Sequence, residues 1–428
     1  MSKDKLALYG GQPARPTAWP NTYPGALSIG AEEEQAVLEV IRSQNLFRYY
    51  GAATPSLNKV KSFEQAFAAY AGAKHALGVT SGTAALMTAL AAAGIGPGDE
   101  VIIPAYTWIA TATAVVWNMG IPVIAEVDET LTLDPDDVER KITPQTKAIM
   151  PVHMRGAPCN MERLMAIAKK HGLMVIEDTA QANGGYFRGQ HLGTFGHINA
   201  FSLQYSKMIT TGEGGAVLTN SHELYRRAQA YHDGGGIWRK TEGDLGDFLP
   251  FTGVNFRMTE ITGALAGIQL GRLEGLLARQ RAAKARITAG TAAICQAKGF
   301  AARPSNDAAG DVGVCLVYLL PDADAAQLFA KALSAENISA HTLFTPAVED
   351  WHVYYHWGPI MEKRTANRLG CPWTCPYYEG QYAYRPDACP RSLELLGRAV
   401  HVDLSPMVTD ADADTAIAGI TKVAEALL

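Results

Sequence analysis

Phe201-Ser202-Leu203-Gln204-Tyr205-Ser206-Lys207-Met208-Ile209-Thr210-Thr211-Gly212-Glu213-Gly214-Gly215 sets one lysine between a short apolar run and a glycine-rich turn. The run over 200–202 reads as a strand, and a second strand over 216–219 follows the turn. Taken singly, a lysine is usually a solvated surface charge. One that follows a strand and precedes glycines is placed to reach into a site.

Outward from this stretch, residues 30–220 alternate helical and strand-like patterns at the spacing of βαβ units. The spacing predicts helices over 31–43, 61–71, 83–94, 107–119, 135–141 and 160–171. Further strands are expected over 76–79, 100–103, 123–126, 148–152 and 173–177. Several are uninterrupted apolar runs, as a parallel sheet covered on both faces requires. The fold class expected is α/β, with a doubly wound, mostly parallel sheet in a large domain. Past residue 260 the pattern changes to a long helix over 259–298, strands over 313–320, 341–344 and 401–404, and helices over 325–336 and 410–427. That reads as a smaller α+β C-terminal domain. The expected division is an N-terminal arm over 1–30, a large domain over 31–270 and a small domain over 271–428. Trp351 to Pro390 is aromatic and proline-rich with little periodicity; loops this long are functional or disordered, and the Trp and Tyr content argues against disorder.

The chain has 428 residues, 48% of them hydrophobic, enough for one large core and a second smaller one. A net charge of -5 gives no long-range attraction to nucleic acid or to an anionic membrane, so a small-molecule substrate is expected. The start, MSKDKLALYGGQPARP, lacks the apolar core of a signal peptide, and the apolar run from Ala84 to Ile95 is too short to span a bilayer. A cytoplasmic location is expected. Six cysteines are too sparse for a disulfide scaffold; Cys371 and Cys375 form C-x3-C without a second ligand pair, so no metal is expected.

Three motifs carry chemistry. Gly94-Ile-Gly96-Pro-Gly98 is not one of them, because it ends a helix and precedes a strand, the reverse of a dinucleotide loop. Thr80-Ser81-Gly82-Thr83 lies between a strand and a helix, where small residues at a helix N-terminus can cradle a phosphate or serve as a plain N-cap. Glu177-Asp178-Thr179-Ala180-Gln181 ends a strand, where open α/β sheets bind ligands. An acid there could bind metal, act as a base or pair with a protonated ring nitrogen. With the lysine at 207, these supply what pyridoxal phosphate needs: a phosphate cup, an anion for its pyridine nitrogen and an amine for its aldehyde.

The segments PAYTW (104–108), EDTAQANGG (177–185), FSLQYSKMITTGEGGAVLTN (201–220) and GVNFRMTE (253–260) resemble, in order and spacing, those of the DegT/DnrJ/EryC1/StrS sugar aminotransferases. The likeness runs from about residue 15 to the C-terminus. PVHMRG, HVYYHW and CPWTCPYY are most similar to the branch of glutamine:scyllo-inosose aminotransferases and 3-amino-5-hydroxybenzoate synthases. The resemblance implies an aspartate-aminotransferase-like, fold type I enzyme with pyridoxal 5'-phosphate bound to Lys207 as a Schiff base. It implies that Asp178 pairs with the pyridinium and Gln181 touches the phenolic oxygen. Gly82, Thr83 and Ser202 would hold the phosphate, Trp108 would stack on the ring, and Asn255 would reach the phosphate of a neighbouring subunit in a homodimer. Many relatives have histidine where this chain has Asn183. The lysine itself counts against the dehydratase branch, where histidine replaces it. His153 and Arg155 could bind substrate, or be a structural histidine and a surface arginine.

The activity expected is ping-pong transfer of an amino group from L-glutamine or L-glutamate to a keto-sugar or keto-cyclitol. A racemase or epimerase could use the same lysine and aspartate. A non-catalytic regulatory protein that binds the cofactor is the other class, and no basic DNA-binding extension accompanies the fold.

Overall fold

Runs such as Val101-Ile102-Ile103 and Val123-Ile124-Ala125 present apolar side chains to both faces of a strand, so they are stable only where helices cover both sides. The computed structural model describes residues 2–22, 27–49, 56–235, 249 and 251–428. In it these runs lie in a seven-stranded sheet. Its spatial order is His75–Val79, Gly215–Thr219, Ile198–Ser202, Met174–Asp178, Thr146–Ile149, Glu100–Pro104, Ile121–Ala125. Gly215–Thr219 is antiparallel to both neighbours, and the remaining pairs are parallel. The C-terminal ends of the parallel strands therefore share one edge, which collects Asp178, Ser202 and the loops that follow them.

A second sheet of four antiparallel strands follows, ordered Ala301–Ala302, Cys315–Leu319, Ala399–Asp403, Ala340–Thr342. The two sheets are tied by one 39-residue helix, Glu260–Lys298. Its Leu270, Leu273, Leu276 and Leu277 enter a core under the large sheet. Further along, Ala283, Ile287 and Cys295 enter the core of the small one. The N-terminal Leu6 is buried in that second core, and Arg15 pairs with Asp412 at 2.6 Å.

Strand and helix ends shift by a few residues from expectation. The helix expected over 107–119 is Ala110–Trp117, because the N–H groups of Thr107 and Ile109 bond instead to the carbonyls of His352 (2.9 Å) and Trp351 (3.0 Å). Helices His222–His232 and Pro390–Gly397 were not anticipated; the first is capped by the Ser221 hydroxyl and the second starts at a proline. The aromatic stretch is ordered against the large sheet. Tyr382 Oη accepts the Ile124 N–H (2.9 Å), and Tyr384 donates to the Pro122 carbonyl (2.7 Å). These bonds occupy the outer edge of Ile121–Ala125, an edge that otherwise invites pairing with another chain. Among the described residues, no helix is long and apolar enough to cross a membrane, and no cluster of three His, Cys, Asp or Glu could hold a metal ion.

Candidate active site

Backbone hydrogen bonds close the loop that carries Lys207. Leu203 exchanges bonds with Gly214 and Thr211 (both 2.9 Å), and the Lys207 N–H reaches the Gln204 carbonyl (2.9 Å). Met208 and Ile209, both buried, anchor the next residues. Lys207 lines two contiguous cavities of 380 and 310 Å³, which share Ala180, Gln181, Ser206, Lys207 and His352. Burial lowers the pKa of its ammonium below the usual lysine value, against the attraction of Asp178. A desolvated lysine gives up its proton more readily, as a nucleophilic amine or a base must.

Asp178, in the larger lobe, is 4% exposed. Its Oδ2 accepts the Thr111 hydroxyl (2.8 Å) and its Oδ1 the Ala180 N–H (3.1 Å). Thr111 in turn lies 2.7 Å from the Thr107 hydroxyl. Burial raises the Asp178 carboxyl above the usual range, only partly offset by those hydrogen bonds and by Lys207. Among the described residues no cation lies within ion-pair distance of it. A buried carboxylate with lone pairs to spare is suited to a cationic ligand group.

The Ser81 hydroxyl caps the helix Gly82–Ala92 by accepting the Ala84 N–H (3.0 Å), so the plain-cap reading holds for Ser81. Gly82 and Thr83 open that helix and line the same lobe as Asp178, with first-turn N–H groups that have no intrahelical partner. A Cβ on Gly82 would come within 2.8 Å of the Ser202 Cβ, and one on Gly215 within 2.3 Å of the Ser81 carbonyl oxygen. The helix start is thus pressed onto the ends of two strands, a close approach that glycine permits. The result is a small cradle of N–H and hydroxyl groups.

Gln181 lines both lobes and accepts the Arg155 N–H (3.2 Å). Trp108 lines the larger lobe, 47% exposed, with its ring 5.0 Å from that of His352; it is not a core aromatic. Asn183 lines the smaller lobe and donates to the Ser202 carbonyl (2.9 Å), tying that lobe to the cradle. Asn255 is exposed and lines neither lobe of its own chain.

His153 is structural. It is fully buried; its Nδ1 accepts the Cys159 N–H (3.1 Å), so Nε2 carries the hydrogen and meets Glu177 at 2.9 Å. Glu177 also accepts the N–H groups of Gly193 (2.8 Å), Phe195 (2.8 Å) and Gly196 (2.6 Å). Glu177→Ala leaves all four donors unpaired. It is expected to lower stability by roughly 3–5 kcal/mol in urea unfolding; a loss below about 1 kcal/mol would show that these bonds are replaced. Arg155 is not a surface arginine: it lines the smaller lobe, paired with Asp403 at 2.9 Å.

Four participants were not anticipated: Thr22, Thr111, Asp403 and His352. Asp403 ends a strand of the small sheet far along the chain, and no local pattern marks it. His352 lies two residues after Asp350 and bonds to it, a spacing that could have drawn attention. Tyr354 and Trp357, close by in the chain, are fully buried packing residues.

The residues present fit pyridoxal phosphate: a cradle for the phosphate, a buried acid, and a desolvated lysine, all lining one lobe. A model of the DegT/DnrJ/EryC1/StrS aminotransferase family matches residues 27–368. The chain is 37% identical over 370 residues to L-glutamine:2-deoxy-scyllo-inosose aminotransferase of Micromonospora echinospora, covering 80% of this chain and 84% of that one. It is 43% identical over 224 residues to GDP-perosamine synthase of Caulobacter vibrioides, covering 52% and 59%. The crystal structure of 3-amino-5-hydroxybenzoic acid synthase matches with a TM-score of 0.76 and 27% identity, over 96% of this chain and 98% of that one. With the family model spanning most of its length, the chain belongs to the DegT/DnrJ/EryC1/StrS aminotransferase family, close to the branch of the glutamine:scyllo-inosose enzymes.

Proposed function

We propose that this enzyme moves an amino group from L-glutamine or L-glutamate to a keto-cyclitol or keto-sugar by a ping-pong route. The observation that carries this is the meeting of Lys207 and Asp178 in one lobe that opens directly into a second, polar one. Pyridoxal phosphate, when bound, supplies the electron sink that makes a carbon-bound proton of the donor removable. Asp178, steadied by Thr111 and Ala180, would keep the pyridine nitrogen protonated. Lys207 takes the proton at Nζ and returns it on the other side of the transferred nitrogen. Gly82, Thr83 and Ser202 would hold the phosphate, Trp108 would stack on the ring, and Gln181 would touch the phenolic oxygen, all of them lining the same lobe. Thr22, Arg155, Asn183, Asp403 and His352 give the smaller lobe donors and acceptors on several sides, suited to a polyhydroxylated acceptor.

The test takes the two half-reactions one at a time. L-Glutamine or L-glutamate alone, at stoichiometric enzyme, is expected to bleach the absorbance of the lysine-bound cofactor and to release one keto acid per site. A keto-cyclitol or keto-sugar then restores the absorbance and appears as an aminated product. Solvent deuterium entering the donor's Cα with no bleaching and no keto acid would instead identify a racemase.

A homodimer is the smallest active unit in this reading, with Asn255 of each protomer serving the phosphate of the other. Its exposure, outside its own pocket, supports that role. Mixing Lys207→Ala with Asn255→Ala and allowing subunits to exchange is then expected to restore part of the activity; a fully active monomer in sedimentation would refute it. Six free thiols, five of them buried, suit the cytoplasm in which we place the enzyme.

A further inference from the structure

Asp350 and His352 form a fixed acid–imidazole pair at the junction of the two lobes. Their segment is laid against the end of the Glu100–Pro104 strand by three backbone bonds. Thr107 N–H donates to the His352 carbonyl (2.9 Å), Ile109 N–H to Trp351 (3.0 Å), and Tyr354 N–H to Ala105 (3.0 Å). Asp350 Oδ1 accepts both the backbone N–H of His352 (2.9 Å) and its ring Nδ1–H (2.8 Å). A carboxylate bonded there selects the tautomer, leaving Nε2 with its lone pair. Nε2 has no hydrogen-bond partner among the described residues, and His352 lines both lobes together with Lys207.

Amino transfer needs a second kind of proton movement besides the one at carbon. When the acceptor's carbonyl carbon gains its C–N bond, the C–O bond breaks and the oxygen leaves with the electron pair as water. Both hydrogens of that water come from the attacking nitrogen. Some group must take a proton from nitrogen and hand it to oxygen, and the reverse must happen when the donor's keto product leaves. Nothing is oxidised or reduced in this step, and the carrier ends as it began.

We propose that His352, oriented by Asp350, is this carrier, working at nitrogen and oxygen while Lys207 works at carbon. The proposal rests on the aminotransferase reading. It assigns the two side chains to two separable isotope exchanges.

The experiment uses holoenzyme with L-glutamate and 2-oxoglutarate, or L-glutamine and 2-oxoglutaramate. In ¹⁸O-water, label entering the keto oxygen above the uncatalysed background reads the loss and return of water. In deuterium oxide, label entering the donor's Cα reads the Lys207 step. His352→Gln is expected to slow ¹⁸O entry by about 100-fold or more and to leave Cα exchange within about threefold. Free imidazole is expected to restore ¹⁸O entry in His352→Gly. In the apoprotein, ¹⁵N NMR is expected to show His352 protonated at Nδ1, and Asp350→Asn to lose that preference. Unchanged ¹⁸O entry in His352→Gln overturns the proposal. So does equal loss of both exchanges without imidazole rescue, which marks a packing role beside Trp108. If the wild type catalyses neither exchange with either pair, the aminotransferase reading falls as well.

Discussion

Lys207→Ala is expected to abolish covalent attachment of the cofactor and to cut turnover by at least about 10⁴-fold, the upper range for a general acid–base group. Among the described residues no other lysine lines either lobe, so none of them offers an amine in its place. The loop itself should survive. Its bond from residue 207 to Gln204 is made by the backbone, and Met208 and Ile209 hold the following residues in the core. The cradle of Gly82, Thr83 and Ser202 is untouched, so the variant should still bind the cofactor reversibly. Borohydride reduction followed by peptide mapping checks this: wild type is expected to carry label on the Lys207 peptide and the variant nowhere. Label on any other lysine in the wild type would sink the assignment.

Asp178→Asn is expected to fold normally and to lose roughly 10²–10³-fold in turnover, the scale of removing one preorganised electrostatic partner. The amide is isosteric. Its oxygen can accept the Ala180 N–H, and its NH₂ can donate to the Thr111 hydroxyl, which turns toward Thr107. Burial already works against the charge of this carboxyl, so removing the charge costs the ligand-free fold little. The loss falls on catalysis, because a neutral amide cannot hold a pyridinium proton. Two measurements on the purified variant decide the matter, the first without cofactor and the second loaded with it. Thermal unfolding is expected within a few degrees of wild type, and ¹⁵N NMR of labelled cofactor is expected to show an unprotonated ring nitrogen. Turnover near the wild-type rate would refute the role.

Much of this site was legible because its motifs are local. Lys207 between a strand and a glycine turn, Asp178 at a strand end, and Ser81-Gly82-Thr83 before a helix each depend on a few adjacent residues. The chemistry of one cofactor explains why they occur together. Local reading was weaker where two uses of the same residue types compete. The spacing over 107–119 is helical, yet its first residues pair with 351–354 instead, and that exchange brings His352 into the pocket. His153 and Arg155, two residues apart, looked equivalent as ligands. One is locked beneath Glu177 and the other lines the cavity.

The sequence by itself determined most of the elements, their mostly parallel arrangement and the cofactor, and it singled out Lys207 as the residue proposed to carry that cofactor. Each follows from patterns within one strand, turn or helix, where hydrophobic period and backbone demands act over short distances. Tertiary structure alone decided the make-up of the smaller lobe. Arg155 meets Asp403 across 248 residues, His352 is brought to Lys207 by an aromatic segment with no period of its own, and Asn183 ties one lobe to the other. Those contacts arise from how two sheets and one long helix pack together, and packing between distant segments leaves no mark in the local spacing of residues.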